Sequence, residues 1–170
     1  MGMEQKMVYH LRRMDRDMAD RGEQLAVIRG QKIVTVAMCK GNEPYLVTLD
    51  YAFCEGENCF YVHCAREGKK LDFLRENPRV WGQVMEDGGY VVGKCSHAYR
   101  SVAFEGRAEF VDDVEQRRRA LGMMVEQMEP DPEPLKRRLL EQATMENVVV
   151  LRLRVESMTG KKSPGPSVWQ

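Results

Sequence analysis

Three short runs of β-forming residues follow one another in the first half of the chain, and only tight turns separate them. They span residues 32–40, 44–54 and 59–65, and are rich in β-branched and aromatic side chains. The connecting turns, Gly41-Asn42 and a Glu-Gly-Glu-Asn stretch at residues 55–58, are too short to hold a crossover helix. The runs therefore predict an antiparallel meander, and a parallel sheet of alternating strands and helices is not expected.

The rest of the sequence adds further strands and a few helices. Strands are predicted at residues 79–85, within 90–111 and at 147–155, with a turn at 86–89. Helices are predicted at residues 14–29, 69–77, 114–128 and 135–142. Six or seven short strands close most naturally into a barrel, because closure leaves no exposed sheet edge. We therefore expect a mainly β fold with helices, antiparallel and Greek-key-like.

Length and charge narrow the class of protein. The 170 residues suit a single domain, 1–170, with a flexible N-terminus at 1–13 and a Gly- and Pro-rich C-terminal tail at 159–170. The 26 basic and 26 acidic side chains balance, which argues against nucleic acid as a partner. The sequence contains no membrane-spanning apolar stretch and no secretory signal, so we expect no membrane partner and a cytoplasmic location.

Several common sites are not predicted. No G-x-G-x-x-G motif or P-loop appears, so a Rossmann fold or an NTPase is not supported. The five cysteines are odd in number and include no C-x-x-C pair, so they do not form a recognisable disulfide framework. His63, Cys64, Cys95 and His97 have the side-chain types of a zinc site, but their spacings match no known finger or knuckle. No metal is therefore predicted.

The most informative segment runs from residue 59 to residue 80. A strand ends there, Gly68 follows, and Lys69 and Lys70 open a helix. The first turn of a helix offers free N–H groups and the positive end of a dipole, and two lysines make it a good phosphate site. The alternative is an ordinary solvated helix start.

His63 lies on the strand just before this loop. By alternation it shares a face with Cys59 and Tyr61, opposite Phe60 and Val62. It is a candidate proton donor or acceptor, because an unperturbed imidazole titrates near pH 6.5. The alternative is a hydrogen-bonded strand histidine that only packs.

The sequence resembles the pyridoxamine 5′-phosphate oxidase-related FMN-binding proteins, and within them the small 5-nitroimidazole-resistance-like branch. The resemblance covers nearly the whole chain from about residue 15. Five segments carry it in order: PYLVT at residues 44–48, FYVHCAREGKK at 60–70, NPRV at 77–80, YRSVAFEGRA at 99–108 and MTGK at 158–161. Thr48 stands where many relatives have proline.

The resemblance implies an FMN-binding split β-barrel that forms a homodimer with two FMN sites at its interface. Lys69 and Lys70 would serve the FMN phosphate, with Arg100 and Ser101 nearby. The strand carrying Tyr45, Val47 and Thr48 would run along the isoalloxazine ring, and His63 and Ala65 would also contact the cofactor. Trp169 and the C-terminal tail are candidates for reaching across to the second subunit. The arginine-containing C-terminal segment of the vitamin B6 oxidases is not found, so pyridoxamine oxidation is not expected.

Two functions follow from the resemblance. The first is an FMN-dependent reductase of a small acceptor, such as a nitroaromatic or a quinone, with a small-molecule electron donor and His63 as the catalytic residue. The second is a non-catalytic protein that binds flavin or haem, or senses redox state, in which His63 or His97 would be the haem ligand.

Overall fold

Six strands and four α-helices make up most of the chain in a computed structural model that describes residues 13–140 and 147–163. Short 3-10 turns at Met14–Arg16 and Glu55–Glu57 accompany them. In chain order the elements are α1 (Arg21–Gly30), β1 (Ile33–Lys40), β2 (Glu43–Cys54), β3 (Cys59–Ala65), α2 (Lys69–Glu76), β4 (Arg79–Val91), β5 (Ser96–Phe110), α3 (Val114–Met128), α4 (Glu133–Leu139) and β6 (Val148–Lys162).

The strands are antiparallel and close into a barrel in the order β1-β2-β3-β6-β5-β4. The ring is completed by a short ladder between β1 and β4, in which Thr35 is opposite Gln83 and Ala37 is opposite Trp81. This confirms the predicted antiparallel barrel with helices, and the chain has the split-barrel fold. No strand-helix-strand crossover unit joins parallel strands in the described part of the chain.

Alternation along the strands divides apolar side chains between the inside and the outside of the barrel. Phe60 and Phe104 stack inside, with ring centroids 4.5 Å apart, and Tyr51 meets the edge of Phe60. On the outside, α3 covers β3 and β6, and Met124 packs in a second cluster with Tyr61. Burial on both faces of β3 therefore fixes its register, because a one-residue slip would turn its inner side chains outward and its outer side chains inward.

The first helix is shorter than the predicted helix at residues 14–29. Asp20 is its N-cap, and its carboxylate accepts a hydrogen bond from the Glu23 N–H at 2.8 Å. A capping carboxylate satisfies an end N–H group and sets the helix start. The predicted start at Met14 is wrong, since residues 14–16 form a separate 3-10 turn.

Two predicted boundaries near glycines are also wrong. The turn placed at residues 86–89 is part of β4, where a register shift between Asp87 and Tyr90 accommodates the two glycines. Residues 159–162, assigned to the tail, are the end of β6 and pair with β5. Gly160 also lets the segment before α1 approach β6, because a Cβ there would lie 2.4 Å from the Met18 carbonyl oxygen.

Some predictions fall outside the described residues. They concern the N-terminus up to residue 12, the end of the helix placed at 135–142, and the tail from residue 164, including Trp169. Among the helices that the structure describes, none has the length and apolar character needed to cross a membrane.

Candidate functional site

Strand β2 changes partner halfway along its length. Residues 43–50 pair with β1, whereas residues 51–54 pair with β3. Strand β3 leaves β2 after Val62 and continues to Ala65 paired only with β6. A gap therefore opens between residues 43–50 on one side and residues 63–70 on the other. We call this gap, with its two walls and the first turn of α2, the split.

The backbone of β2 supplies hydrogen-bonding groups to the split. The Tyr51 N–H donates to the Lys32 carbonyl, 3.3 Å away on the β1 side. Alternate residues of an antiparallel strand direct their backbone groups to opposite edges. The N–H and C=O groups of Leu46 and Thr48 therefore face away from β1, and no described strand pairs with that edge. An exposed row of donors and acceptors is a template for a ligand.

The start of α2 closes one end of the split. Gly68 precedes the helix with a φ of 139°, and no side chain caps the helix. The Lys69 ammonium lies 2.6 Å from a Glu43 carboxylate oxygen and 5.0 Å from the centre of the Tyr45 ring. Tyr45 packs in turn against Phe73 of α2. These contacts hold the helix start beside the beginning of β2.

Lys70 is the second cation of the helix start. It is half-buried and forms no ion pair with any residue between 13 and 140 or between 147 and 163. Burial raises the pKa of the nearby Cys64 thiol, and the charge of Lys70 partly opposes that rise. The helix start thus carries a positive charge that the described part of the fold does not neutralise.

His63 and Ala65 stand on the opposite wall of the split. The ladder that pairs Tyr51 with Val62 places His63 level with Asp50, where the two strands separate. The imidazole is exposed on the outer face, as alternation predicts, and its Nδ1 lies 3.4 Å from the Met124 sulfur. Thr48 is exposed across the split, with its hydroxyl 3.4 Å from that of Thr35.

Arg100 and Ser101 are not brought to the lysines within one chain. Arg100 is ion-paired with Glu86 at 2.5 Å, and the buried Ser101 hydroxyl donates to the Lys161 carbonyl at 3.4 Å. The β4–β5 ladder pairs Arg79 with Arg107 beside the end of α2, and Arg100 lies seven residues further along β5. At about 3.3 Å per residue, Arg100 lies roughly 20 Å along β5 from Arg107, and so at the far end of that strand from α2.

The structure gathers most of the predicted cofactor contacts at one place. Seven of them belong to the walls of the split or to the first turn of α2: Tyr45, Val47, Thr48, His63, Ala65, Lys69 and Lys70. Two of the seven do not face the gap, since the backbone groups of Tyr45 and Val47 are directed to β1 and their side chains pack against the core. Sequence reasoning did not single out Glu43, which engages Lys69, or the direction of the Leu46 amide. Neither has a local sequence signal, because both depend on how far the β1–β2 ladder extends.

The four candidate zinc-type side chains lie in different environments. Cys64 is buried inside the barrel, and the His97 Nε2 lies 2.6 Å from Asp87 near the far end of the β4–β5 hairpin. The Gly89 N–H and His97 hold the pKa of Asp87 below its ordinary value. Within the described residues, no three His, Cys, Asp or Glu side chains are grouped to hold a metal ion.

Comparison with known proteins identifies the family. Residues 20–162 match the family model described as pyridoxamine 5′-phosphate oxidase. No significant match was found among curated proteins.

Three solved structures illustrate the similarity of fold. A candidate 5-nitroimidazole antibiotic resistance protein of Bacteroides thetaiotaomicron is 24% identical with a TM-score of 0.70, over 86% of each chain. An FAD-binding protein of Mesorhizobium loti is 25% identical with a TM-score of 0.61, over 86% of this chain and 95% of that chain. An FAD and heme binding protein of Mycobacterium smegmatis is 16% identical with a TM-score of 0.74, over 88% of this chain and 74% of that chain.

Proposed function

Because the chain belongs to the pyridoxamine 5′-phosphate oxidase family, we propose that it is a flavoprotein and that it binds FMN in the split. One observation carries this proposal: the unpaired edge of β2 lies beside an uncapped helix start that bears two lysines. An FMN molecule has a flat polar ring at one end and a phosphate at the other, and the split offers a partner for each.

The phosphate end fits the start of α2. A phosphate monoester carries about −1.5 to −2 charges at neutral pH. The helix N-terminus, Lys69 and Lys70 meet such a charge with N–H donors, a dipole and two ammonium groups. Gly68 leaves room, since a Cβ built there would find no atom within 4 Å.

The ring end fits the edge of β2. The backbone groups of Leu46 and Thr48 that face the split present alternating donors and acceptors, and a flavin ring carries the complementary groups along its pyrimidine side. The side chains of Tyr45 and Val47 pack against the core on the other side of the strand. The position of this edge is therefore fixed by the fold before any ligand binds.

We propose that the protein is an FMN-dependent reductase of a small acceptor, such as a nitroaromatic or a quinone. A bound flavin supplies two-electron transfer from a small-molecule donor to an acceptor, and the protein supplies orientation and electrostatics. His63 is exposed at the wall of the split, where its imidazole can give or take a proton near neutral pH. The similarity to a candidate nitroimidazole resistance protein supports this class of acceptor.

We also propose that the active form is a homodimer. The outer face of the β2-β1-β4 wall exposes four large apolar side chains to more than half of their area: Ile33, Leu46, Trp81 and Met85. These strands are neighbours, and their outward side chains form one surface next to the split. A second copy covering this surface would also explain how Arg100 and Ser101, remote from the lysines of their own chain, approach a shared cofactor. Light scattering should give about twice the chain mass of 19.6 kDa, and a monomer at full flavin occupancy would contradict this.

A second candidate function is binding without catalysis, of flavin or of haem. The similarity to a protein described as binding both FAD and heme supports this second candidate function. His63 and His97 are exposed and are the candidate haem ligands. Their surroundings differ, since His97 is engaged by Asp87 and His63 contacts only a thioether among the described residues.

Two experiments test these proposals. The absorbance spectrum of the purified protein should show the two visible bands of a flavin, whereas a single strong Soret band would overturn the flavin proposal in favour of haem. Rapid-mixing reduction by nicotinamide nucleotides, followed by reoxidation with nitroaromatics or quinones, then separates an enzyme from a carrier.

His63→Ala should retain flavin and change the rate of reduction or of reoxidation across about pH 5 to 8, whereas His97→Ala should change neither rate. Equal rates in wild type and His63→Ala would leave His63 a packing residue.

A further inference from the structure

We propose that Arg66 and Arg117 form a second anion site, on the far side of the β3 end from the split, and that it binds a phosphate group of a nucleotide. This inference rests on the proposed flavin function, because the nucleotide is a phosphorylated donor, such as NADPH, that reduces the flavin. The chemistry to be recognised is a phosphate monoester.

The site is a small cavity of about 140 Å³ between the loop after β3 and the start of α3. Arg66 lies on one side and Arg117 on the other. Residues 110–112 and the first two residues of β6 complete the walls. Because Ala65 is paired with Val148, this cavity lies on the β6 side of β3, whereas the split lies on the β2 side.

Arg117 is directed into this cavity by its place in α3. It is the fourth residue of the helix, and helical side chains lean toward the N-terminus of their helix. Arg117 and Asp112 both line the cavity. The Arg117 Nε is buried and has no hydrogen-bond acceptor among the described residues. A buried donor without an acceptor is costly, and a small shift of this side chain toward an anion in the cavity would relieve that cost.

The charges around the cavity also favour the binding of an anion. Neither Arg66 nor Arg117 has a carboxylate within ion-pair distance in residues 13–140 and 147–163. Arg152 and Arg154, on the neighbouring strand β6, are both ion-paired with Glu109. The Asp112 carboxylate also lines the cavity but pairs with neither arginine, so a net positive charge remains. Two guanidinium groups facing one small cavity are the arrangement that bidentate phosphate recognition uses.

The arginine cavity lies close in sequence to the lysines at the start of α2. Arg66 precedes Lys69 by three residues, in the loop that leads into α2. A nucleotide donor with a phosphate monoester of its own could bind this cavity while its reactive end approaches the split.

The test compares Arg66→Gln, Arg117→Gln and the double variant with wild type, and uses Arg118→Gln on the same helix as the control. Calorimetry measures the Kd of FMN, and then the Kd values of NADPH and NADH on protein loaded with FMN. The double variant should bind NADPH at least about tenfold more weakly than wild type. Its affinity for FMN should be unchanged, and its affinity for NADH, which lacks the additional phosphate, should change much less.

The inference is overturned if the folded double variant keeps the wild-type affinity for NADPH. Should the double variant fail to fold, Arg66→Gln alone decides, because Arg66 is exposed and has no ion-pair partner in the described residues. If the wild-type protein binds no flavin, the proposed flavin function fails, and this result does not by itself decide whether the cavity binds a phosphate. Calorimetry with AMP and pyrophosphate on wild type and the double variant still tests the cavity, and equal binding to both proteins overturns the site.

Discussion

The two sides of this barrel differ in where their backbone hydrogen bonds go. On the closed wall, formed by β3, β6, β5 and β4, strand β6 pairs with β3 along one edge and with β5 along the other. At the split, residues 43–50 of β2 pair with β1 alone. A backbone group left without a partner in a folded protein is normally satisfied by water or by a ligand.

The side chains follow the same division. The closed wall encloses the stacked aromatic rings, and its surface arginines Arg107, Arg152 and Arg154 are ion-paired. The split has an open edge, an uncapped helix start and a lysine with no ion-pair partner in the described residues. Along its strands the closed wall uses its polar groups mainly for folding, whereas the split keeps its backbone groups and a lysine available for a ligand.

The largest effect is expected from breaking the closed side. Phe60 is fully buried and lies 4.5 Å from Phe104 and 4.8 Å from Phe53, centroid to centroid. Phe60→Ala should lower the free energy of unfolding by about 3–5 kcal/mol, as large-to-small changes in aromatic cores do. Urea denaturation measures this. Asp50→Asn, at an exposed position of the split, should change it by no more than about 0.5 kcal/mol. Equal losses in the two variants would refute the division.

The second effect concerns binding and leaves folding nearly unchanged. Replacing Lys69 and Lys70 together by alanine should weaken FMN binding roughly 100-fold or more, because charge-assisted hydrogen bonds contribute on the order of 1.5–3 kcal/mol each. Riboflavin, which lacks the phosphate, should bind as it does to wild type. Flavin fluorescence titration measures both ligands, with Lys94→Ala as the control. Unchanged FMN affinity would place the phosphate elsewhere.

A smaller effect is expected at Gly68, where the helix enters the split. Its φ of 139° is a conformation that side-chain-bearing residues rarely adopt, although a Cβ would meet no neighbour. Gly68→Ala should therefore cost roughly 1–3 kcal/mol of stability through backbone strain alone. Gly30→Ala is the control, because that glycine has the same free space without a positive φ. Thermal unfolding that gives equal shifts for both would show that α2 does not depend on this conformation.

The smallest effect is expected from removing the ion pair between Glu43 and Lys69. Its carboxylate holds Lys69, and both side chains are more than half exposed, so the ion pair contributes at most about 1 kcal/mol to stability. Glu43→Gln should leave unfolding nearly unchanged and tighten FMN binding by less than about tenfold, because Lys69 no longer has to leave a carboxylate. Weaker FMN binding in this variant would mean that Glu43 positions Lys69 instead of competing for it.

The sequence predicted the strands more accurately than the places where they end. Residues 59–65 and 114–128 were predicted with their observed limits, because burial on two faces and an aspartate cap leave clear signals. The glycines of β4 were mistaken for a turn, and the Gly160 region was mistaken for a tail. Glycine occurs at turns, at bulges and where two backbones approach closely, so the residue alone does not distinguish them.

The candidate site was predicted in part for a similar reason. The strand-glycine-lysine-lysine pattern pointed to the start of α2, and the family resemblance added His63 and the strand carrying Tyr45, Val47 and Thr48. The residues of β2 that face the split and the Glu43 contact were not found, because they depend on long-range strand register. The distance between Arg100 and the lysines has the same origin, since a resemblance names the residues of a site without saying which subunit supplies them.

The central claim is that the split, and not the closed wall, receives the flavin. Hydrogen–deuterium exchange with and without saturating FMN tests it most directly. We expect FMN to slow exchange in peptides covering residues 43–50 and 66–71, and to leave peptides of residues 102–108 and 150–155 unchanged. Protection confined to the closed wall, or tight FMN binding with no protection of residues 43–50, would contradict the account.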